Sequence, residues 1–173
     1  MSTAALSVPT RDRADAAWLR GRVLLAGATV ALLDGLFAVG FSAVASGTFA
    51  PGRVWQGVAR NLVGPAAMDG GLATVALGLA IHLAVAYGWT TLYALLLQRS
   101  AALRRAVASP ARAVAVGAAW GALVWLVMRL VVIPLGRVGW APIVWRTFIP
   151  MLIGHMVVVG QPIALLVRPR RGG

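Results

Sequence analysis

The chain lacks cysteine altogether, and its charged residues are of only two kinds. None of its 173 residues is Cys, which excludes disulfides, thiol catalysis, CxxC redox chemistry and thiolate metal sites. Lysine and glutamate are missing as well, since all 16 cationic side chains are arginines and all 4 anionic side chains are aspartates. Without glutamate there is no HExxH motif, and the sequence has neither a nucleophile elbow nor a phosphate-binding loop. We therefore expect a protein that is not an enzyme.

Charge of any kind is scarce, and long apolar runs take its place. Only 12% of the residues are charged and 60% are apolar, with a mean hydropathy of +0.85, whereas soluble domains are about 45–50% apolar. Four apolar runs, at about 23–45, 71–97, 113–135 and 141–167, each exceed the roughly 20 residues that a helix needs to cross a bilayer. They predict an all-α, polytopic membrane protein. Its four-helix transmembrane domain, 23–167, lies between basic tails at 1–22 and 168–173.

The arginines are concentrated at alternate ends of the predicted spans. Clusters precede the first span, link the second to the third and follow the fourth, whereas the other two connections carry fewer arginines. By the positive-inside rule, both termini are then cytoplasmic. The net charge of +12 faces anionic lipid headgroups, at about 1 kcal/mol per arginine near the surface, rather than nucleic acid. The bias toward Arg, Ala, Gly and Val is typical of GC-rich bacterial genomes, so the predicted location is a bacterial inner membrane.

A short amphipathic helix is predicted between the first and second spans. Pro51 suits its start, and a Gly-Pro pair suits its end. Trp55 lies on the apolar face of this helix, whereas Gln56 and Arg60 lie toward the polar face. Because the segment is too short to span, we expect an interfacial helix with Trp55 at headgroup depth. A helix that caps the bundle is the alternative.

Each predicted span carries an ionisable residue in its interior. In chain order these residues are Asp34, His82, Arg129 and His155. Ionisable groups in hydrocarbon are costly, so each is a functional candidate. Counting 1.5 Å per residue puts Asp34 and both histidines in one layer near the middle of the membrane, with Arg129 about 10 Å from the end of its span. We expect an intramembrane polar cluster in which Asp34 faces into the bundle and lies near at least one of the other three residues.

Three roles fit such a cluster. Proton or small-solute transport is the leading hypothesis, with Asp34 and a histidine as the relay, because histidine changes its charge near neutral pH. An electron carrier with a b-type haem between His82 and His155 is the alternative, although the two histidines are offset by about one helical turn. A structural or partner-binding membrane subunit is the third hypothesis, with a second copy or another membrane protein as partner and the cluster holding helices together. No metal site and no other cofactor is predicted.

Four features of the chain occur together: Asp34 in the first span, RVWQGVA at Arg53–Ala59, GLAIH at Gly78–His82 and VMRLVVIP at Val127–Pro134. This combination resembles small four-helix bacterial inner-membrane proteins of unknown function. The likeness extends from residue 27 to residue 167. It implies the four-helix fold and the inner-membrane location, and it carries no catalytic assignment.

The arginine pattern makes the topology testable. Reporter fusions after Gly47, Arg105, Arg137 and Gly173 should read outside, inside, outside and inside, because the arginine-rich segments stay in the cytoplasm. The measurement is paired reporter activity, with one enzyme active only outside the cytoplasm and one only inside. A C-terminal fusion that reads outside would contradict the predicted orientation.

Overall fold

The structure, a computed structural model, describes residues 10–168, with side chains from residue 17 onward. Within that range the chain folds into helices and forms no strand, so the predicted all-α fold is confirmed. Residues 1–9 and 169–173 of the two predicted tails lie outside the described residues. The first helix begins at Thr10, well before the predicted span at Val23.

Six helices follow one another along the described chain. They are α1 (Thr10–Ser46), α2 (Pro51–Val63), α3 (Gly71–Arg99), α4 (Ala101–Ala106), α5 (Pro110–Leu135) and α6 (Trp145–Val167). A short 3₁₀ turn, Pro65–Asp69, joins α2 to α3. The last turn of α2 ends at Gly64, whose positive φ of 87° favours glycine. Ser109 caps α5 by accepting a hydrogen bond from the Arg112 amide, with Pro110 at the first helical position.

Four of these helices, α1 from Ala17 onward together with α3, α5 and α6, are long and apolar enough to cross a membrane. Large apolar side chains such as Leu24, Leu32 and Leu36 of α1 are exposed on the outside of the bundle. In water such a surface would be unfavourable, whereas lipid accepts it. The fold is therefore compatible with an integral membrane protein.

The spanning helices pack unequally. α1 lies against both α3 and α6, and α5 lies against α6. α3 and α5 meet through large aromatic side chains: the Trp120 ring lies 5.7 Å from that of Trp89 and 5.3 Å from that of Tyr93. These bulky rings keep the two backbones apart and leave a space between α3 and α5. We call the end of the bundle that carries α2 the α2 end, and the opposite end, with α4, the basic end.

Glycines bring α5 and α6 into backbone contact. A Cβ added at Gly160 of α6 would collide with the Gly117 carbonyl of α5, and one added at Gly121 would collide with the His155 carbonyl. Such close approach lets small residues stabilise helix pairs in membranes. The contact fixes the position of His155 relative to α5.

Both α5 and α6 contain a π-helical segment just before a proline. The segments are Met128–Val132, ahead of Pro134, and His155–Gly160, ahead of Pro162. Each proline lacks an amide hydrogen, and its ring clashes with the carbonyl one turn earlier, so the ladder shifts to hydrogen bonds between residues five apart. Arg129 and His155 both lie in these widened turns.

α6 begins at Trp145, later than the predicted start at Ala141. The stretch before Trp145 is bonded to α5 instead. Nη2 of Arg129 donates hydrogen bonds to the carbonyl oxygens of Ala141 and Pro142, at 2.9 and 3.0 Å. Arg129 thus ties the connection between the two helices to α5.

α2 crosses α3 at Gly78, where the structure leaves no room for a side chain. A Cβ at Gly78 would overlap the backbone carbonyl of Trp55. We expect Gly78→Ala to separate α2 from α3 and to lower the free energy of unfolding by about 1–3 kcal/mol, as overpacking does. Thermal unfolding of the purified protein in detergent measures the effect.

Gly88→Ala is the matched control. It lies on the same helix, and a Cβ there would meet nothing within 4 Å. Because alanine favours helix more than glycine does, this variant should unfold no earlier than the parent. Equal unfolding midpoints for the Gly78 and Gly88 variants would show that α2 does not rest on α3 in this way.

Candidate functional site

Asp34 lies between the two histidines in the interior of the bundle. Its Oδ2 is 3.9 Å from Nδ1 of His82 on α3, and its Oδ1 is 3.7 Å from Nε2 of His155 on α6. The Asp34 side chain is 18% exposed, and those of His82 and His155 are 11% and 12% exposed. The structure thus brings together three of the four predicted cluster residues, one from each of three spanning helices.

The second nitrogen of each imidazole is held by a backbone carbonyl. Nε2 of His82 lies 2.9 Å from the carbonyl oxygen of Ala31 on α1, and Nδ1 of His155 lies 2.8 Å from that of Met151, one turn earlier on α6. A carbonyl oxygen only accepts hydrogen bonds. Each of these two nitrogens must therefore carry a hydrogen, which fixes the tautomer of each neutral ring.

This hydrogen bonding leaves one lone pair on each ring, and both lone pairs face Asp34. With the rings neutral and the carboxylate ionised, an acceptor nitrogen lies opposite an acceptor oxygen on both sides of Asp34. Such pairs have no attractive contact unless a proton lies between them. One additional proton on any of the three groups would place a donor opposite an acceptor in one of these pairs.

A cavity of about 270 Å³ lies beside the three residues. Five helices contribute to its wall, which is mostly apolar and contains few polar side chains. Among the lining residues are Asp34, Trp55, Asn61, His82, Trp125, Met128, Met151 and His155. The cavity occupies the space that the aromatic side chains open between α3 and α5. At this size it can hold several water molecules or a small solute, and it lies just below the roughly 300–1,000 Å³ of sites for drug-sized ligands.

Two tryptophans flank the histidines. The Trp55 ring lies 5.1 Å from the His82 ring, and the Trp125 ring lies 4.7 Å from the His155 ring. Aromatic rings within about 6 Å stabilise a cation through their π electrons. Each imidazole therefore lies between a tryptophan ring and the Asp34 carboxylate.

Arg129, the fourth predicted residue, does not join Asp34. Its Nη2 bonds the connection between α5 and α6, and its Nη1 is buried without a hydrogen-bond partner. The two ion pairs within 4 Å in the described part of the chain both belong to Asp34, and neither involves Arg129. The carboxylate and the guanidinium thus stay separate.

The residues predicted for the interfacial helix have different surroundings. Trp55 lines the cavity, whereas Arg60 is exposed. Gln56 is buried at 8% exposure, and its amide nitrogen reaches the Gly71 carbonyl at 3.5 Å. Whether α2 lies at headgroup depth stays a prediction, but the helix packs against α3 within the bundle.

Sequence reasoning did not assign Trp55, Trp125 or Asn61 to the site. A signal for Trp55 was present, because Gly78 precedes His82 by four residues and marks a close approach to that face of α3. Gly35 beside Asp34 gives a second signal, since a Cβ there would come within 3.1 Å of the Trp55 ring. Nothing in the sequence distinguishes Asn61, whose buried Oδ1 has no partner.

The geometry is unfavourable for a haem between the histidines. Bis-histidine ligation needs the two free nitrogens on opposite faces of a flat macrocycle. Here the free nitrogens of His82 and His155 face the same carboxylate of Asp34, which occupies the space between them. Among the described residues, no group of three or more metal-ligating side chains is placed to hold a metal ion.

Comparison with known proteins does not identify the chain. No protein-family model, no curated protein and no solved structure matches it. What the chain does must therefore be inferred from its own side chains, their hydrogen bonds and the cavity beside them.

The tautomers give a direct test of the site. The chain has only two histidines, so nitrogen-15 labelling of histidine gives a simple NMR spectrum in detergent. In the neutral state His82 should carry its hydrogen on Nε2 and His155 on Nδ1, because each of these nitrogens donates to a carbonyl. His155→Gln should remove the signals of the Nδ1–H ring. Two rings of the same tautomer would contradict the site.

Proposed function

We propose that the chain is an integral inner-membrane protein, not an enzyme, that moves protons together with a small solute across the bilayer. Asp34 is the central proton acceptor, and His82 and His155 exchange the proton with it. The bilayer, with anionic headgroups at the basic end, is the partner that the arginines favour.

One observation carries the proposal: the Asp34 carboxylate lies between two free imidazole nitrogens whose partner nitrogens are already committed as donors. Each ring then has only one atom available for proton exchange, and that atom faces Asp34. A proton that enters from the cavity is then shared among the carboxylate and the two rings, and it leaves through the cavity as well, because neither ring has a second free nitrogen. The three groups belong to α1, α3 and α6, so the proton moves between helices.

A purely structural role fits the distances less well. Buried polar contacts that hold helices together are worth about 0.6 kcal/mol on average, and they need direct hydrogen bonds. The contacts of Asp34, at 3.7 and 3.9 Å, are longer than direct hydrogen bonds. Oδ1 of Asp34 is buried without a hydrogen-bond partner. Such a carboxylate contributes little to stability, whereas a bridging water or a small side-chain movement connects it for proton transfer.

The cavity supports coupling to a solute. It adjoins Asp34 and both histidines, so a solute inside it would sense their charge. α2 supplies part of the wall through Trp55 and Asn61 and covers the cavity at the α2 end. Displacement of this short helix would open the cavity to one side while the basic end stays packed.

Asp34→Asn tests the function because it keeps the shape of the side chain and removes its proton exchange. In proteoliposomes with an imposed pH gradient, we expect the parent to acidify or alkalinise the lumen and Asp34→Asn to reduce this flux to the level of empty liposomes. The matched control is Asp69→Asn, the same change at an exposed carboxylate at the α2 end. It should leave the flux unchanged.

Thermal unfolding in detergent separates function from folding. Asp34→Asn should unfold close to the parent, because the native carboxylate makes no direct hydrogen bond. If Asp34→Asn folds and transports protons as the parent does, the relay proposal fails. If the parent itself shows no flux above empty liposomes under any gradient, proton transport fails as the function.

A further inference from the structure

The second candidate site surrounds Arg129, close to the α2 end of the bundle. A pocket of about 100 Å³ lies here. Of its lining residues, Trp125 and Met151 also line the central cavity. The residues of the pocket come from α5, from α6 and from the connection between them: Trp125, Arg129, Pro142, Val144, Thr147, Phe148 and Met151. The pocket contains one charged side chain, and that charge is positive.

Two of the residues that line this pocket each carry a buried hydrogen-bond donor without a partner. One is Nη1 of Arg129, and the other is Nε1 of Trp125. Guanidinium and indole groups only donate hydrogen bonds, so neither can serve the other. The two residues are one turn apart on α5 and share a face of the helix. A buried donor without a partner costs about 1–3 kcal/mol, and more when it is charged, so both groups call for an acceptor from outside the chain.

The hydrogen bonds that Arg129 makes within the protein use Nη2 and leave Nη1 without an acceptor. Nη2 already holds the carbonyls of Ala141 and Pro142. The hydroxyl of Thr147 donates to the Val144 carbonyl at 3.0 Å, so its hydrogen is committed as well. No described carboxylate lies within 4 Å of Arg129. The positive charge in the pocket is therefore not neutralised by the described part of the protein.

The pocket adjoins the proposed proton site. Trp125 and Met151 line both the pocket and the central cavity, and the Trp125 ring lies 4.7 Å from the His155 ring. A ligand at Arg129 is thus separated from the histidines by these two side chains. A movement of Trp125 or Met151 would join the two spaces.

We propose that Arg129 and Trp125 bind a small monocarboxylate such as formate or acetate, which is the solute that moves with the proton. Nη1 and Nε1 donate to the carboxylate oxygens, and the guanidinium supplies the compensating charge. The inference rests on the proposed proton transport for its coupling, but the binding site itself does not depend on it. The volumes restrict the ligand to a few non-hydrogen atoms.

The coupling step is the protonation of the bound carboxylate. The carboxylate passes Trp125 into the cavity, where the Asp34 cluster gives it one proton, and the neutral acid leaves. No electron is transferred, and the cluster regains its proton from the side with the higher proton concentration. Protonation in the cavity also removes the charge that would draw the anion back to Arg129, so the neutral acid can leave.

Calorimetric titration of the purified full chain in detergent tests the binding. Sodium formate and sodium acetate are the probes, with sodium chloride as the competing anion at equal ionic strength. We expect saturable binding of both carboxylates and at least tenfold weaker binding of chloride. Arg129→Gln, which removes the guanidinium charge and Nη1, should weaken carboxylate binding about tenfold or more.

Trp125→Phe is the sharper variant, because it removes Nε1 and keeps an aromatic ring against His155. It should weaken carboxylate binding several-fold, as loss of one neutral hydrogen bond does. Arg146→Gln, at an exposed arginine in the first turn of α6, is the matched control and should bind as the parent does. Absence of carboxylate binding, or equal binding in parent and both pocket variants, would overturn the proposal. Equal affinity for chloride would overturn its carboxylate specificity.

The binding measurement and the flux measurement test the two proposals independently. Titration in detergent needs no gradient, so carboxylate binding without proton flux would leave the Arg129 site standing and remove transport. Proton flux that depends on Asp34 without any carboxylate binding would remove the Arg129 site and leave the relay standing. If both hold, the part of acetate-driven acidification that exceeds that of empty liposomes should be lost in Asp34→Asn and in Arg129→Gln alike.

Discussion

The cost of keeping Asp34 among apolar helices is the constraint on which the rest of the bundle depends. A carboxylate in a low-dielectric interior is tolerated only with a partner or with a proton. Here two imidazoles approach it from different helices, and backbone carbonyls hold both rings in place. Glycines around the site make room for the side chains and backbone that enclose it. Gly35, Gly78 and Gly154 each leave room for an aromatic ring or a backbone segment.

The two polar centres of the bundle are kept apart by aromatic and thioether side chains. Asp34 and the histidines form one centre, and Arg129 with the loop carbonyls forms the other. Direct pairing of Asp34 with Arg129 would neutralise both charges and leave little reason for a ligand to bind. Because they are separate, each centre keeps a polar atom without a hydrogen-bond partner: Oδ1 of Asp34 in one and Nη1 of Arg129 in the other. Under our proposals, the missing partners are a proton on one side and a small anion on the other.

Depth along the helices was readable from the sequence, whereas the direction of long side chains was not. Counting residues put Asp34, His82 and His155 in one layer, and these three lie together. The same count puts Arg129 nearer the end of its span, but it does not tell which acceptors a long flexible side chain reaches, and Arg129 bonds loop carbonyls. The amphipathic pattern of α2 predicted a helix, yet it could not distinguish lipid from α3 as the surface it covers. The wall of the cavity depends on contacts among five helices, which no local pattern encodes.

The π-helical segments in α5 and α6 also affect the register of these helices. A π turn holds one residue more than an α turn, so it acts as a one-residue insertion that rotates the remainder of the helix by about 100° relative to a continuous α-helix. In α6, the turn at His155–Gly160 separates the part that presents His155 to Asp34 from the part that packs Gly160, Ile163 and Val167 into the core. The π turn therefore changes the direction in which the second part of α6 faces relative to the part that carries His155. Loss of a single residue there would misdirect one of these surfaces, so the length of this stretch matters as much as its composition.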